Sequence, residues 1–515
     1  MPKSIRPYMD FSGGLNTDKS PDHLADNELA AADNVVLELR GALSSRKGCR
    51  AINGEPFNGT ATQVFEWMRT TGDVRLMSVI DKQLCLISDG VPAAIQTVGS
   101  SRVARTAFQD RLYFIDGAEV YVYDGTTCEA VTPSQEAGMD IAPIRKCRFL
   151  LWDPRSYRFF AAGNSDDPGA LYYSEPNDPT AWKNTSKLYP SRAEGAVTAL
   201  ALFAHAMVVF FADGLWLWKG IDPEADAVWQ KVPVPYGTLA PESIELTPNS
   251  LTWLANGAIV SMSPAVLDYN LTLLPGTDLV ANISVEKVGA LVQGVYHPET
   301  ACGVYDVGRA RYMLAYGDDP NNPDNNRVLA YSWPLRGFTR FTGWMVHDWC
   351  FRRSNRQLVF ASDNYLLATE AGYSDVDCKT GGAVPIDIQI ETKRFNLDLP
   401  FFVKRNFKLF IAGQNAGGHP PAADVKVRSI GPKGKTVCIP HVTFNDGMKW
   451  GDLWGGKWPY DDAMTVECKA KCQGERFQVL IHLANLDESL NLYGVAFEFR
   501  PKAKPKGVRH VGKTD

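Results

Sequence analysis

The chain has 515 residues, 45% of them hydrophobic and 22% charged, with a formal net charge of -5 and a pI near 6.0. That length supports two or three domains with large cores and excludes general disorder, while the mildly acidic balance gives no long-range attraction for phosphate and disfavours a dedicated nucleic-acid binder. Ten cysteines spread from Cys49 to Cys472 are too sparse for a disulfide scaffold and imply reduced thiols made in a cytoplasm.

The first residues, MPKSIRPYMDFSGGLN, lack the apolar core of a secretory signal. Residues 1–55 are expected to form an extended N-terminal arm carrying one short helix within Pro21 to Val36, where Leu24, Glu28, Leu29 and Ala32 share a face. Paired glycines at Gly13 and Gly14 let such an arm turn sharply and pass close to other backbone. Phe11, Gly13, Gly14, Leu15 and Asn16 are therefore the candidates for an assembly arm that reaches a neighbouring copy. Deleting residues 1–20 is then expected to leave a folded monomer that no longer assembles.

Residues 56–380 repeat one pattern: a short apolar run, an Asp-Gly or Asn-Gly turn, and a second run. It appears at Lys82 to Gly90, Asp110 to Gly125, Ala206 to Gly220, Asn249 to Met262 and, with Asp-Asn at the turn, Arg356 to Thr369. Asp-Gly and Asn-Gly accept the positive φ angles of tight hairpins. Related hairpins turn near Gly163 and Gly308. Turns at Gly117, Gly163, Gly214, Gly257, Gly308 and Asn364 recur at steps of roughly 40 to 55 residues, the spacing of propeller blades, and predict about six of them. The most apolar run, Ala196 to Phe211, is broken by His205 and too short for a membrane span, so it reads as buried strands.

After Gly381 the pattern changes to strict alternation, as in IDIQIET, which predicts a β-sandwich over residues 381–500. Within it the loop KWGDLWGGKWPYDD carries Trp450, Trp454 and Trp458, either a local mini-core or interface anchors. Residues 501–515 read as a flexible basic tail. The fold class expected is thus all-β: an extended arm, a propeller-like domain, a sandwich.

Signatures of chemistry are missing. No phosphate-cradling glycine loop, H-E-x-x-H pair or G-x-S-x-G elbow occurs, and the eight histidines are scattered. Ser165, Asp167, Gly169 and Tyr172 approximate a structural turn of sialidase-type propellers. Asp166, Asp167, Glu175 and Asp178 cluster in sequence among prolines and glycines, the setting of a solvated loop rather than of a hydrolase pair at fixed separation. Cys468 and Cys472 would share a strand face, with His482 the nearest further ligand, short of a zinc set. No catalytic, cofactor-binding or metal-ligating residue is nominated, and no cofactor is expected.

One pattern reaches beyond local physics. Asp10-Phe11-Ser12-Gly13-Gly14-Leu15-Asn16-Thr17 is followed by Pro21, Leu24, Asp26-Asn27-Glu28, Asn34-Val35, Gly41 and Ser45-Arg46-Lys47-Gly48. This order resembles the opening of a family of bacteriophage tail structural proteins, the hub or nozzle components of short-tailed phages. Pro176 to Trp182, Thr392 to Leu409 with Pro400 and Lys404, and Phe477 to Phe499 are also similar. The resemblance implies a virion tail protein with a β-propeller, not an enzyme, assembled as a ring, usually a homohexamer, below the portal and adaptor. Such a ring retains packaged DNA and forms the conduit for its ejection. The partners implied are other copies of the chain, the portal or adaptor and further tail proteins, with transient passage of double-stranded DNA, no stable nucleic-acid binding and no membrane insertion. Alternatives are another virion position, such as head completion or a long tail, and a receptor-binding or carbohydrate-active propeller.

Overall fold

The computed structural model describes residues 3–191, 194–225, 228–267, 280–431, 433–444 and 465–502. The chain is almost wholly β; among the described residues only two short α-helices, Ala142–Arg145 and Gly289–Gln293, interrupt the strands. At one hairpin Asp89 and Gly90 take φ of 51° and 80°, the twist that a two-residue connection between strands demands.

Seven four-stranded antiparallel units occur among the described residues. Their first strands are Ala61–Met68, Ala104–Phe108, Phe149–Asp153, Ala199–Phe203, Glu245–Thr247, Cys302–Asp306 and Asp348–Arg352. Each unit packs on the next through its own apolar core. Phe65 and Met77 of blade 1 meet Leu112 and Phe114 of blade 2. Ile115 and Phe159 join blades 2 and 3, Phe160 and Met207 join 3 and 4, and Phe210 and Trp253 join 4 and 5. Ile259 meets Leu314 between 5 and 6, and Met313 meets Phe360 between 6 and 7. A last core sets Val359 and Leu366 of blade 7 against Val64 and Leu76 of blade 1, so the ring closes. The architecture is propeller-like, with seven blades rather than about six. The missed blade is the first, whose hairpin had been noticed but not counted. The Gly308 turn joins the first and second strands of blade 6, not the second and third as at the other turns.

Residues 3–51 are extended, but they wrap their own chain. Ser4–Tyr8 pairs with Leu490–Pro501, Val35–Leu37 and Leu43–Ser45 form a hairpin beside that same strand, and Arg50–Ala51 supplies the fourth strand of blade 7. The helix expected within Pro21 to Val36 is replaced by the strands Glu28–Asp33 and Val35–Leu37. ELAAAD is good helical sequence, and tertiary pairing overrides it. Its strand is held antiparallel by Ile388–Thr392 and parallel by Gly14–Leu15, and Asn34 at φ 58° breaks any helical continuation.

The C-terminal strands form a sandwich with these N-terminal ones. One sheet runs Val35–Leu37, Leu43–Ser45, Leu490–Pro501, Lys404–Asn415, Thr465–Gly474, with Ser4–Tyr8 also on Leu490–Pro501. The other contains Glu28–Asp33, Ile388–Thr392, Arg476–Leu483, Ala422–Ile430 and Thr436–Thr443, and it continues through Glu28–Asp33 into blade 6 as one ten-stranded sheet. Leu409, Ile411, Val425, Val479, Ile481 and Phe497 fill the space between the sheets.

Candidate functional site

The N-terminal motif lies on the seam between propeller and sandwich. Phe11, Leu15 and Asn16 are each 1% exposed within their own chain. The motif's apolar residues find their partners in the core of that chain. Asn16 Nδ2 donates to Glu28 Oε1 at 3.0 Å and to the Glu286 carbonyl at 2.9 Å, while its Oδ1 accepts the Asp18 and Lys19 amides. Burial pushes the Glu28 carboxyl up, but Lys287 Nζ at 2.6 Å and the Ala25 and Asn16 donors outweigh it and hold the group below its ordinary range. Gly14 has φ +66°, and a Cβ there would sit 2.6 Å from the Phe338 carbonyl oxygen; one on Gly13 would meet Asn27 at 2.9 Å. Close approach of blade 6 requires glycine at position 14, and close approach of the chain's own Asn27 and Glu28 requires it at position 13.

The second half of the motif forms a buried clasp. Arg46 donates from Nε to Asn34 Oδ1 at 2.8 Å, from Nη1 to Asp375 Oδ1 at 2.8 Å, and from Nη2 to Asp375 Oδ2 at 2.5 Å and the Thr342 carbonyl at 3.0 Å. Its guanidinium lies 4.4 Å from the Trp344 ring centroid, and Trp344 Nε1 donates to Asp375 at 2.9 Å. Asn34 Nδ2 reaches Thr342 Oγ1 and the Asp387 carbonyl. Nearby, Arg340 binds both Asp33 oxygens at 2.8 and 2.7 Å. Strap, blade 6 and the linker after blade 7 meet at this point. Sequence reasoning quoted Asn34 and Arg46 as motif letters without seeing the clasp, since Arg46 and Asp375 stand 329 residues apart.

Side chains cross the propeller centre. Arg102, entering blade 2, sends Nη1 to 3.7 Å from Glu242 of the segment entering blade 5 and 3.9 Å from Asp348 of blade 7. Its Nη2 donates to the His347 carbonyl. Asp348 also accepts the Val64 amide of blade 1 at 2.9 Å. Blades 2, 5 and 7 are not neighbours, so these contacts cross the centre. Burial pushes the Asp348 carboxyl up, and that of Glu245 up to about 7. At one mouth lies a depression of about 600 Å³ lined by Lys146, Arg148, Asn164, Ser165, Thr198 and Glu299.

The acids that cluster in sequence are separated by their partners. Asp166 pairs with Lys146 at 2.5 Å, Asp167 with Lys187 and Tyr189, Glu175 with Lys183, and Asp178 caps the Thr180 turn. The Ser165 to Tyr172 segment is the turn joining the second and third strands of blade 3. Cys468 and Cys472 both point into the sandwich core, as alternation predicted, whereas His482 faces outward onto Asp387 at 2.8 Å. Burial pushes the thiols of Cys49, Cys147 and Cys350 up to about 12, far from nucleophilic thiolates. Trp450, Trp454 and Trp458 lie outside the described residues, as does the tail beyond Lys502.

No family model matches the chain, and no curated protein matches it. Similar solved structures include the computationally designed protein Ika8, at a TM-score of 0.37 and 11% identity over 62% of this chain and 99% of that one. PorZ, a surface component of the type-IX secretion system of Porphyromonas gingivalis, matches at 0.38 and 12% identity over 62% of this chain and 37% of that one. The extracellular domain of BT4673 from B. thetaiotaomicron matches at 0.42 and 8% identity over 82% of this chain and 59% of that one.

Proposed function

We propose that the chain is a structural component of a phage tail, one subunit of a homohexameric hub or nozzle ring below the portal and adaptor that retains packaged DNA and conducts it during ejection. The observation that carries this reading is the N-terminal motif. Its residues Gly14, Asn16, Asn34, Arg46 and Gly48 occupy positions where no ordinary substitute fits, which gives its order and spacing a structural cause. A non-enzymatic role is supported by the acids that cluster in sequence, which pair separately with Lys146, Lys187 and Lys183 rather than facing one another across a cleft. The Arg102 contacts that cross the propeller centre favour a conduit between subunits of the ring over one through a single propeller.

Cryo-electron microscopy of the particle carrying this chain tests the proposal. Six copies around the tail axis, directly below the portal, are expected. Density at the periphery of the particle would refute the reading and favour receptor binding.

A further inference from the structure

The outward face of the sandwich sheet built on Leu490–Pro501 concentrates positive charge in a chain whose net charge is -5. Alternation sends Leu409, Cys468, Ala470, Phe497 and Phe499 inward; Arg405, Lys408, Lys469, Lys471 and Arg500 therefore point out. Register then places like charges directly opposite one another. Arg405 stands across from Arg500, and Lys408 across from Lys469. The next position along the Ser4–Tyr8 pairing brings Lys3 level with Arg500.

Opposed cations on neighbouring strands have Cβ atoms only about 5 Å apart and destabilise the sheet. The carboxylates on this face compensate in part: Glu498 pairs with Lys3 at 2.7 Å and Glu467 with Lys408 at 2.7 Å. Arg405, Lys469 and Lys471 have no carboxylate partner among the described residues. Lys502 extends the patch from the strand end, held to Gln473 at 2.5 Å, and Lys504, Lys506, Arg509 and Lys513 follow it in sequence. A cation row retained at a cost to the sheet points to an anion outside it.

The chemistry of the face selects the kind of anion. It is Lys-rich, whereas Lys is depleted from protein interfaces. Its central aromatic, Phe407, is covered by Lys3 at 4.8 Å and Arg405 at 5.4 Å, which takes the ring away from base stacking. A flat sheet face offers nothing to enter a groove, so its cations meet phosphates without reading sequence. We propose that this face is a contact surface for the phosphate backbone of double-stranded DNA, binding weakly enough for the duplex to slide. That the duplex is the packaged genome rests on the tail reading above.

Anisotropy of a labelled mixed-sequence duplex with the full chain tests it. Four cations, Arg405, Lys469, Lys471 and Lys502, give a slope of log K against log salt of about -3.6, so affinity falls about 150-fold between 50 and 200 mM salt. The double variant K469Q/K471Q, which lies outside the core and relieves the opposition of Lys408 and Lys469, is expected to melt at or slightly above the parent's temperature and to reduce the slope by about 2. A tail variant, K504Q/K506Q/R509Q/K513Q, keeps the contribution of the sheet. No binding at 50 mM salt, complete loss in the tail variant with an unchanged K469Q/K471Q, or preference for poly-glutamate over the duplex would each overturn the proposal, the last in favour of an acidic protein partner. The two readings fail separately. A six-fold tail ring whose subunit ignores DNA refutes this surface alone, and DNA binding by a chain found off the tail axis refutes the tail reading alone.

Discussion

Replacing Arg46 by Met removes the cation from the seam while keeping most of its packing volume. Arg46 and Asp375 have side chains only 2% and 5% exposed, so the change leaves a buried carboxylate with only the neutral donors Trp344 Nε1 and the Cys49 thiol among its side-chain partners. Breaking one side of such a pair costs about 3–5 kcal/mol, because the orphaned charge stays desolvated. If propeller and sandwich melt as one unit of 515 residues, the unfolding entropy is about 1.1 kcal/mol/K, and the melting temperature drops by about 3–5 °C. Scanning fluorimetry reads that shift. The double variant R46M/D375N removes the stranded charge and should recover about half of the loss; the cycle gives a coupling energy of at least about 1 kcal/mol. A single variant melting within about 1 °C of the parent, with coupling under about 0.5 kcal/mol, would refute the clasp.

Gly48→Ala places a Cβ against the Ser374 carbonyl and should cost at least about 3 kcal/mol; Gly54→Ala, with nothing within 4 Å of the new Cβ, is the control, and equal melting of the two would refute the packing argument. Glu245 is raised from 4.5 to about 7 in the folded chain, chiefly by burial, so between those pH values the folded state holds a proton that the unfolded state releases. Its contribution is full below pH 4.5 and fades as pH climbs to about 7, a loss of about 1–2 kcal/mol after discounting partial exposure; urea titrations across that range should show it, and Glu245→Gln should flatten the dependence. Deleting residues 1–20 removes the Ser4–Tyr8 strand and the buried Phe11 and Leu15; an aggregating or partly folded chain is expected by gel filtration and circular dichroism, and a monodisperse, fully folded monomer would refute the strap as part of the core.

What sequence could show was what depends on neighbours in the chain. The hairpin turns were legible because Asp-Gly and Asn-Gly mark them, with positive φ at Gly90, Gly117 and Gly257, and the sandwich because IDIQIET and its fellows alternate. The strand Glu28–Asp33 was not, because its own residues prefer a helix and the strands that overrule them lie more than three hundred positions away. Arg46 with Asp375, and Arg102 with Glu242 and Asp348, are long-range pairs with no local signal. The basic sheet face hid for another reason: a net charge averages over the whole surface, and only the cross-strand register shows Arg405 beside Arg500.

Blade 7 is completed by Arg50–Ala51, and the last long strand is flanked by Ser4–Tyr8. During synthesis the Ser4–Tyr8 strand therefore leaves the ribosome with its partner missing until Leu490–Pro501 has followed. At 5–20 residues per second that wait is on the order of half a minute to two minutes. Until Leu490–Pro501 emerges, the unpaired Ser4–Tyr8 strands of nascent chains on one polysome face each other. Maturation speed and yield should depend on how dilute the nascent chains are, because exchange of the strap between copies competes with each chain closing on itself.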